Sequence, residues 1–258
     1  MVISLQNVAC GYDRSIVLNN INLTFRTGEF CCILGSNGIG KTTFFKTLLG
    51  FMACKTGRIT IDDKDIVTMQ NKEIARYISY VPQAKKSSYH YSVIDIVLMG
   101  RARYIKQFEP PSKEDYKVAK SVLDSLGILY LENCLYSELS GGEQQIVLIA
   151  RALAQESKFI VMDEPASNLD FENQKRVLDV LKYLSSQDRG IIMSSHSPDH
   201  AFYCGTNIVL INRDKTIIYG LTDEVLTTSN LKKVYGVDVS IITGKNANGE
   251  IIKSCCLS

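Results

Sequence analysis

Hydrophobic and polar positions along the 258-residue chain fall into three regimes. Near the start Val2, Ile3, Leu5 and Val8 approach the two-residue period of a strand, and Val2 to Val8 reads as the first one. Ile21 to Arg26, Phe30 to Leu34 and Arg58 to Ile61 are further short β-like runs, set apart by glycine or aspartate turns. The run Phe30 to Leu34 is apolar throughout, as a strand buried on both faces must be. A second β-like set comes late, at Phe159 to Met162, Gly190 to Ser195, Asn207 to Ile211 and Lys215 to Tyr219. Between the two sets the period turns helical: Tyr116, Ala119, Val122 or Leu123, and Leu126 share one face, as do Ile146, Ile149, Ala150 and Leu153. The pattern predicts an α/β fold, a mainly parallel sheet interrupted by a helical subdomain at about residues 84–155, with a loop at Pro110-Pro111.

Composition narrows the function. A hydrophobic content of 45% with 22% charged residues is that of an ordinary globular chain. The net charge of +2, with its basic residues spread evenly, argues against nucleic acid as a partner. No apolar run approaches the roughly 18 to 20 residues that span a bilayer, so a membrane role has to come through a partner protein. Val8-Ala9-Cys10 faintly resembles a lipoprotein cleavage site but has neither a basic start nor a continuous apolar stretch before it, and a cytosolic location is expected. Eight cysteines include no C-x-x-C pair, and Cys31 and Cys32 sit inside an apolar strand as small hydrophobes. The vicinal Cys255 and Cys256 are either redox-active or reduced and idle, with the second reading favoured in a reducing compartment.

The chemistry lies at the strand ends. Gly35-Ser36-Asn37-Gly38-Ile39-Gly40-Lys41-Thr42 follows the buried run directly and fits the phosphate-binding pattern G-x-x-x-x-G-K-[ST]. Its glycines let backbone amides from Asn37 to Thr43 converge on phosphates, and Lys41 reaches the outer two. Lys41 to Leu49 then reads as a helix whose positive end faces the same anion. Thr42 offers a hydroxyl to Mg²⁺, and Asp163, at the end of an apolar strand, offers a carboxylate to the same ion. Leu139-Ser140-Gly141-Gly142-Glu143 stands where another helix begins, and a serine followed by glycines at a helix N-terminus makes a second anion site.

This ordered set resembles the nucleotide-binding subunit of the ATP-binding cassette (ABC) transporters, and the resemblance covers nearly the whole chain. It implies a single ABC domain over residues 1–258: a P-loop NTPase core with an N-terminal antiparallel β subdomain and the helical insert. It makes Glu164 the catalytic base and His196 the switch histidine at the terminal phosphate. Gln83 becomes the glutamine that touches both Mg²⁺ and the membrane partner, and Tyr12 the aromatic on which adenine stacks. Pro165 to Asp170 matches the segment that crosses the dimer interface, departing from the family in Ala166 and Asn168. Ser140, Gly141 and Gly142 are expected to face away from their own phosphate loop and to close on ATP held by a second copy, head to tail.

Neither a long coiled coil nor a second cassette is present, which disfavours chromosome, repair and translation ATPases. Between a transporter and a soluble ATPase acting on a cytosolic scaffold, as in iron-sulfur cluster assembly, the insert decides. Tyr91 to Arg101, then Phe108 to Asp115, and the tail Val234 to Val239 resemble importer ATPases for iron chelates, haem, cobalamin and molybdate. The resemblance implies a homodimer at the cytoplasmic face of the membrane, working on integral-membrane permease subunits and, through them, an extracytoplasmic binding protein. Ferric siderophore is the expected cargo.

Overall fold

The computed structural model describes residues 1–83, 90–106, 108–246 and 248–257. Two long strands, β1 (Val2–Tyr12) and β2 (Ser15–Arg26), form an antiparallel hairpin, and β3 (Phe30–Gly35) leads through the glycine loop into α1 (Lys41–Leu48). Then come β4 (Thr56–Ile61), β5 (Lys64–Asp65), α2 (Asn71–Tyr77) and β6 (Ile78–Val81). Every described element between β6 and the next strand is helical: α3 (Val93–Leu98), α4 (Lys113–Ser125) and α5 (Gly141–Ala154), with short 3-10 turns. The remainder is β7 (Phe159–Met162), α6 (Phe171–Ser186), β8 (Gly190–Ser195), α7 (Pro198–Cys204), β9 (Asn207–Ile211), β10 (Ile217–Leu221), α8 (Thr222–Val225), α9 (Thr228–Tyr235), β11 (Val239–Lys245) and β12 (Ile251–Leu257).

The strands sort into an antiparallel sheet β2-β1-β4-β5, a six-stranded sheet β10-β9-β3-β8-β7-β6 and a two-stranded β11-β12 ribbon. In the large sheet β9, β3, β8, β7 and β6 run parallel, and only β10 at its edge is antiparallel. All six residues of β3 are buried, and strand alternation sends them to two different cores. Cys31 and Ile33 join Phe44, Phe45 and Leu48 of α1 beneath the antiparallel sheet. Phe30, Cys32 and Leu34 join the helical block and α6, α7 and α9 on the other face. Phe25, Phe30, Phe45 and Phe159 are fully buried, each contributing on the order of 2 to 3 kcal/mol.

The parallel register has one consequence for function. Leu34 lies beside Ser195, and Met193 beside Met162, so β3, β8 and β7 end together. The phosphate loop, His196 and the Asp163-Glu164 pair therefore emerge on one edge, where parallel sheets bind ligands. The Asp163 amide continues the ladder to the Val81 carbonyl at 3.0 Å, which brings Gln83 to that edge as well.

The structure departs from the sequence reading in places. β1 runs on to Tyr12 rather than ending near Val8, because irregularities between Leu5 and Gly11 break the alternation without breaking the pairing. The expected strand Lys215 to Tyr219 begins two residues later, since Lys215 occupies a turn with φ +67°. The expected start of the helical block at residue 84 lies outside the described residues, as does Tyr89, expected with Tyr91 to help meet the permease.

Candidate functional site

Gly40, with φ +120°, sits just before α1, a backbone state that a side chain opposes; a Cβ there would also lie 2.6 Å from Val17. This turn aims the first turn of α1 at the loop's hollow, which is lined by Asn37, Gly38, Gly40, Lys41, Thr42, Thr43 and Glu164. Lys41 is almost wholly buried. Its ammonium donates to the carbonyls of Gly35 at 2.8 Å and Ser36 at 3.4 Å, and pairs with Glu164 Oε1 at 3.3 Å.

Thr42 Oγ1 donates to Asp163 Oδ2 at 2.8 Å. The other oxygen, Oδ1, accepts from Ser194 Oγ at 2.7 Å, and the same serine hydroxyl accepts the Glu164 amide at 2.9 Å. Glu164 itself has φ +49°, a left-handed state that costs a β-carbon residue on the order of 1 kcal/mol. Its second oxygen, Oε2, lies 3.5 Å from His196 Nδ1. Lys41, Thr42, Asp163, Glu164 and His196 thus form one constellation.

Gln83 stands one step back. Its amide donates to Ser167 Oγ at 2.7 Å, and that hydroxyl donates to the Glu164 carbonyl at 2.8 Å. Tyr12 lies half-exposed beyond α1, where its hydroxyl accepts from Thr43 at 3.4 Å and its ring has the Lys46 ammonium 5.8 Å from its centre. The Thr43 hydrogen bond is the main influence drawing the Tyr12 hydroxyl below the usual tyrosine range.

The Ser140 to Gly142 segment is not part of the hollow's lining. Ser140 caps α5 in a reciprocal box with Glu143, whose Oε2 accepts from the Ser140 hydroxyl at 2.7 Å and amide at 2.9 Å. Those bonds hold the Glu143 carboxyl below its ordinary pKa. Ser140 and Gly141 are exposed while Gly142 is buried, and a Cβ on Gly142 would fall 2.0 Å from Asn173 Oδ1.

Two site residues escape the motif patterns. Ser194 joins both acidic residues, and its signal in the sequence is a pair of serines, 194 and 195, at the end of an apolar strand. Ser167 links Gln83 to Glu164 from within the Pro165 to Asp170 segment, whose resemblance points to the dimer interface and not to this contact.

Residues 18–167, more than half the chain, match the family described as ABC transporter. The chain belongs to that family. It is an ABC ATP-binding subunit, and ABC ATPases couple ATP hydrolysis to transport. It is 41% identical over 254 residues to an uncharacterized ABC transporter ATP-binding protein of Haemophilus influenzae, covering 98% of this chain and 96% of that one. It is 30% identical over 257 residues to the iron(3+)-hydroxamate import ATP-binding protein FhuC of Bacillus subtilis, covering 99% and 94%. Among solved structures it is similar to a chain of a metal-chelate type ABC transporter in an inward-facing conformation, with a TM-score of 0.89, 31% identity and coverage of 100% and 97%. No helix among the described residues is long and apolar enough to cross a membrane.

Proposed function

We propose that this ABC subunit hydrolyses ATP to power an importer of metal chelates, with ferric siderophore as the cargo, as a head-to-tail homodimer bound to permease subunits at the cytoplasmic face of the membrane. The observation that carries the reading is the end-to-end similarity to a chain of a metal-chelate type transporter. The similarity to an iron(3+)-hydroxamate import subunit supports the cargo.

The constellation supports the nucleotide roles read from the sequence. Lys41 is folded back on the carbonyls of its own loop and on Glu164, acceptors that the β- and γ-phosphates of ATP would replace. That exchange releases the Glu164 carboxylate toward an attacking water. Water oxygen bonds to the γ-phosphorus, the bond to ADP breaks, and Glu164 takes the proton. Thr42 Oγ1 and Asp163 Oδ2 are neighbouring oxygen donors of the kind that a hard divalent cation requires. They fit Mg²⁺, and Gln83, whose amide rests on Ser167, would turn its side-chain oxygen toward the same ion. When bound, the ion neutralises charge on the phosphate oxygens. His196 contacts the terminal phosphate, Tyr12 stacks on adenine, and Ser140 to Gly142 serve the ATP of the second copy.

A groove beside this site offers the permease a seat. Leu49, Phe51, Ile74, Tyr80, Met99 and Arg151 line it, and its floor strand β6 leads directly to Gln83. Phe51 and Met99 are exposed, and Phe51 meets Tyr80 edge to face with ring centres 6.3 Å apart. Helix α3 contributes little to it, since Val93, Ile96, Val97 and Leu98 are buried and only the following Met99 and Gly100 reach the groove. The test is co-purification with the permease and uptake of labelled ferric hydroxamate, haem, cobalamin or molybdate in cells carrying Phe51→Asp or Met99→Asp. Weakened permease binding and lost ferric uptake at normal ATPase activity are expected. Unimpaired uptake of all four on gene deletion refutes the importer reading.

A further inference from the structure

The family match ends at residue 167, yet the chain beyond β10 returns to the nucleotide edge. At the end of α9, Tyr235 Oη donates to the main-chain carbonyl of His196 at 2.9 Å. Burial raises the pKa of that hydroxyl above the ordinary tyrosine value, so it remains a donor at every physiological pH. Tyr235 is fixed in turn: its carbonyl accepts from the Arg213 guanidinium, and Gly236 closes α9 in the left-handed state with φ +74°.

The same short loop is held a second time. Asp199, in the first turn of α7, accepts from the Cys255 amide at 2.8 Å and from Ser254 Oγ at 3.1 Å, both on β12. Cys255 also packs against the main hydrophobic core along with Val239 and Ile241 of β11. The loop 196–199 is thus pinned at both ends by the C-terminal segment. The His196 ring meanwhile projects into solvent, held on its inner side by Glu164 at 3.5 Å.

We infer that Tyr235, supported by the β12 contact with Asp199, is a positioning residue for hydrolysis: it sets where the His196 backbone, and hence its ring, stands relative to Glu164. The inference rests on His196 acting at the terminal phosphate. A carbonyl released from its donor lets the ring drift, and displacements near 1 Å at a reacting centre are costly in rate. The hydrogen bonds from Tyr235 and β12 fall on His196 and Asp199, whereas nucleotide binding belongs to α1, its loop and Tyr12.

The experiment compares the steady-state ATPase kinetics and thermal midpoints of the purified full chain with those of Tyr235→Phe, Asp199→Ala, His196→Ala and the double variant His196→Ala/Tyr235→Phe. Tyr235→Phe is expected to lower kcat by about tenfold with KM for ATP unchanged. Asp199→Ala is expected to lower kcat in the same way but less. In the His196→Ala background, removal of the Tyr235 hydroxyl is expected to add nothing, as two groups acting through one step behave. A kcat within twofold of wild type in Tyr235→Phe, or the same fractional loss with and without His196, overturns the positioning role while leaving His196 in place. Full turnover in His196→Ala alone instead overturns the reading on which it rests.

Discussion

Ser194 Oγ donates to Asp163 Oδ1 at 2.7 Å from a fully buried position on β8. With Thr42 on the other oxygen, the Asp163 carboxylate has both its oxygens engaged and a single orientation. Because the Ser194 hydroxyl also receives the Glu164 amide, one side chain fixes the two adjacent acids. Ser194→Ala leaves that amide and one carboxylate oxygen without a partner, at a cost of about 1 to 3 kcal/mol. The thermal midpoint is expected to fall and kcat to fall further than stability alone explains. Ser194→Thr, which keeps the hydroxyl, is expected to recover most of the activity.

Glu164→Gln keeps the size of the side chain and removes its capacity as a base. Hydrolysis is expected to fall by about 10² to 10³-fold while ATP binding persists. The variant should accumulate as an ATP-bound dimer on size-exclusion chromatography. Lys41→Ala is expected to bind ATP poorly and to remain monomeric, and normal turnover in Glu164→Gln would remove that glutamate from catalysis.

The two signature glycines are expected to respond differently. Gly141 is exposed, and a Cβ there meets only the tip of Leu169 at 3.3 Å, so Gly141→Asp fits the monomer. It is expected to bind ATP normally as a monomer and to fail in hydrolysis and ATP-driven dimerisation, as measured by equilibrium binding and light scattering. Gly142→Ala collides with Asn173 and is expected to destabilise the fold itself by about 1 to 3 kcal/mol.

Arg101 anchors the helical block. Its guanidinium bonds Asp115 at 3.1 Å, Glu156 at 2.6 Å and the Ala154 carbonyl at 2.9 Å, and stacks on Tyr104 at 3.7 Å. Arg101→Ala leaves the buried Asp115 with its Ser112 hydrogen bonds at 2.9 and 2.6 Å but strands its charge without a cation, and is expected to cost about 1 to 3 kcal/mol in urea unfolding. Arg101→Ala/Asp115→Asn, which also removes the stranded charge, is expected to recover part of that loss.

His200 supplies a pH dependence. Burial, helped by the neighbouring His196 and opposed by Asp199, lowers its pKa below the ordinary value, and its Nδ1 lies 2.9 Å from Ser195 Oγ. The unfolded chain therefore takes up a proton near pH 6.5 where the folded chain does not. This contribution to stability is complete above that pH and is lost as pH falls through it toward the lower folded value. Between pH 7.5 and 5.5 the urea midpoint of the wild type is expected to fall by more than that of His200→Gln.

Much of this was legible in the residues. Phe159 to Met162, Gly190 to Ser195 and Asn207 to Ile211 are strands at the expected bounds, because buried parallel strands are mostly apolar runs, here broken only at Ser194, Ser195 and Asn207. The phosphate loop was legible because its chemistry needs glycines at fixed spacing. The ribbon β11-β12 was not, since Val239, Ile241 and Cys255 turn toward the core while Ile242, Ile251, Ile252 and Leu257 are exposed, so apolar residues stand on both faces and mask the alternation. Ser194 and Tyr235 were hidden for a different reason. Each acts through a contact between residues more than thirty positions apart, and no local pattern encodes such a pairing.

The contact between Gly142 and Asn173 joins two parts that the sequence keeps separate. Asn173 is itself tied to Asp170 at the start of α6, by its amide at 2.8 Å and its side chain at 3.0 Å. With no side chain between them, α5 and the loop 165–170 have little room to slide against each other. They would meet a second copy as a single jaw. A tilt of the helical block would then be felt at Ser167, whose hydroxyl already rests on the Glu164 carbonyl, so motion at the far side of the subunit would reach the backbone of the proposed base as a mechanical pull.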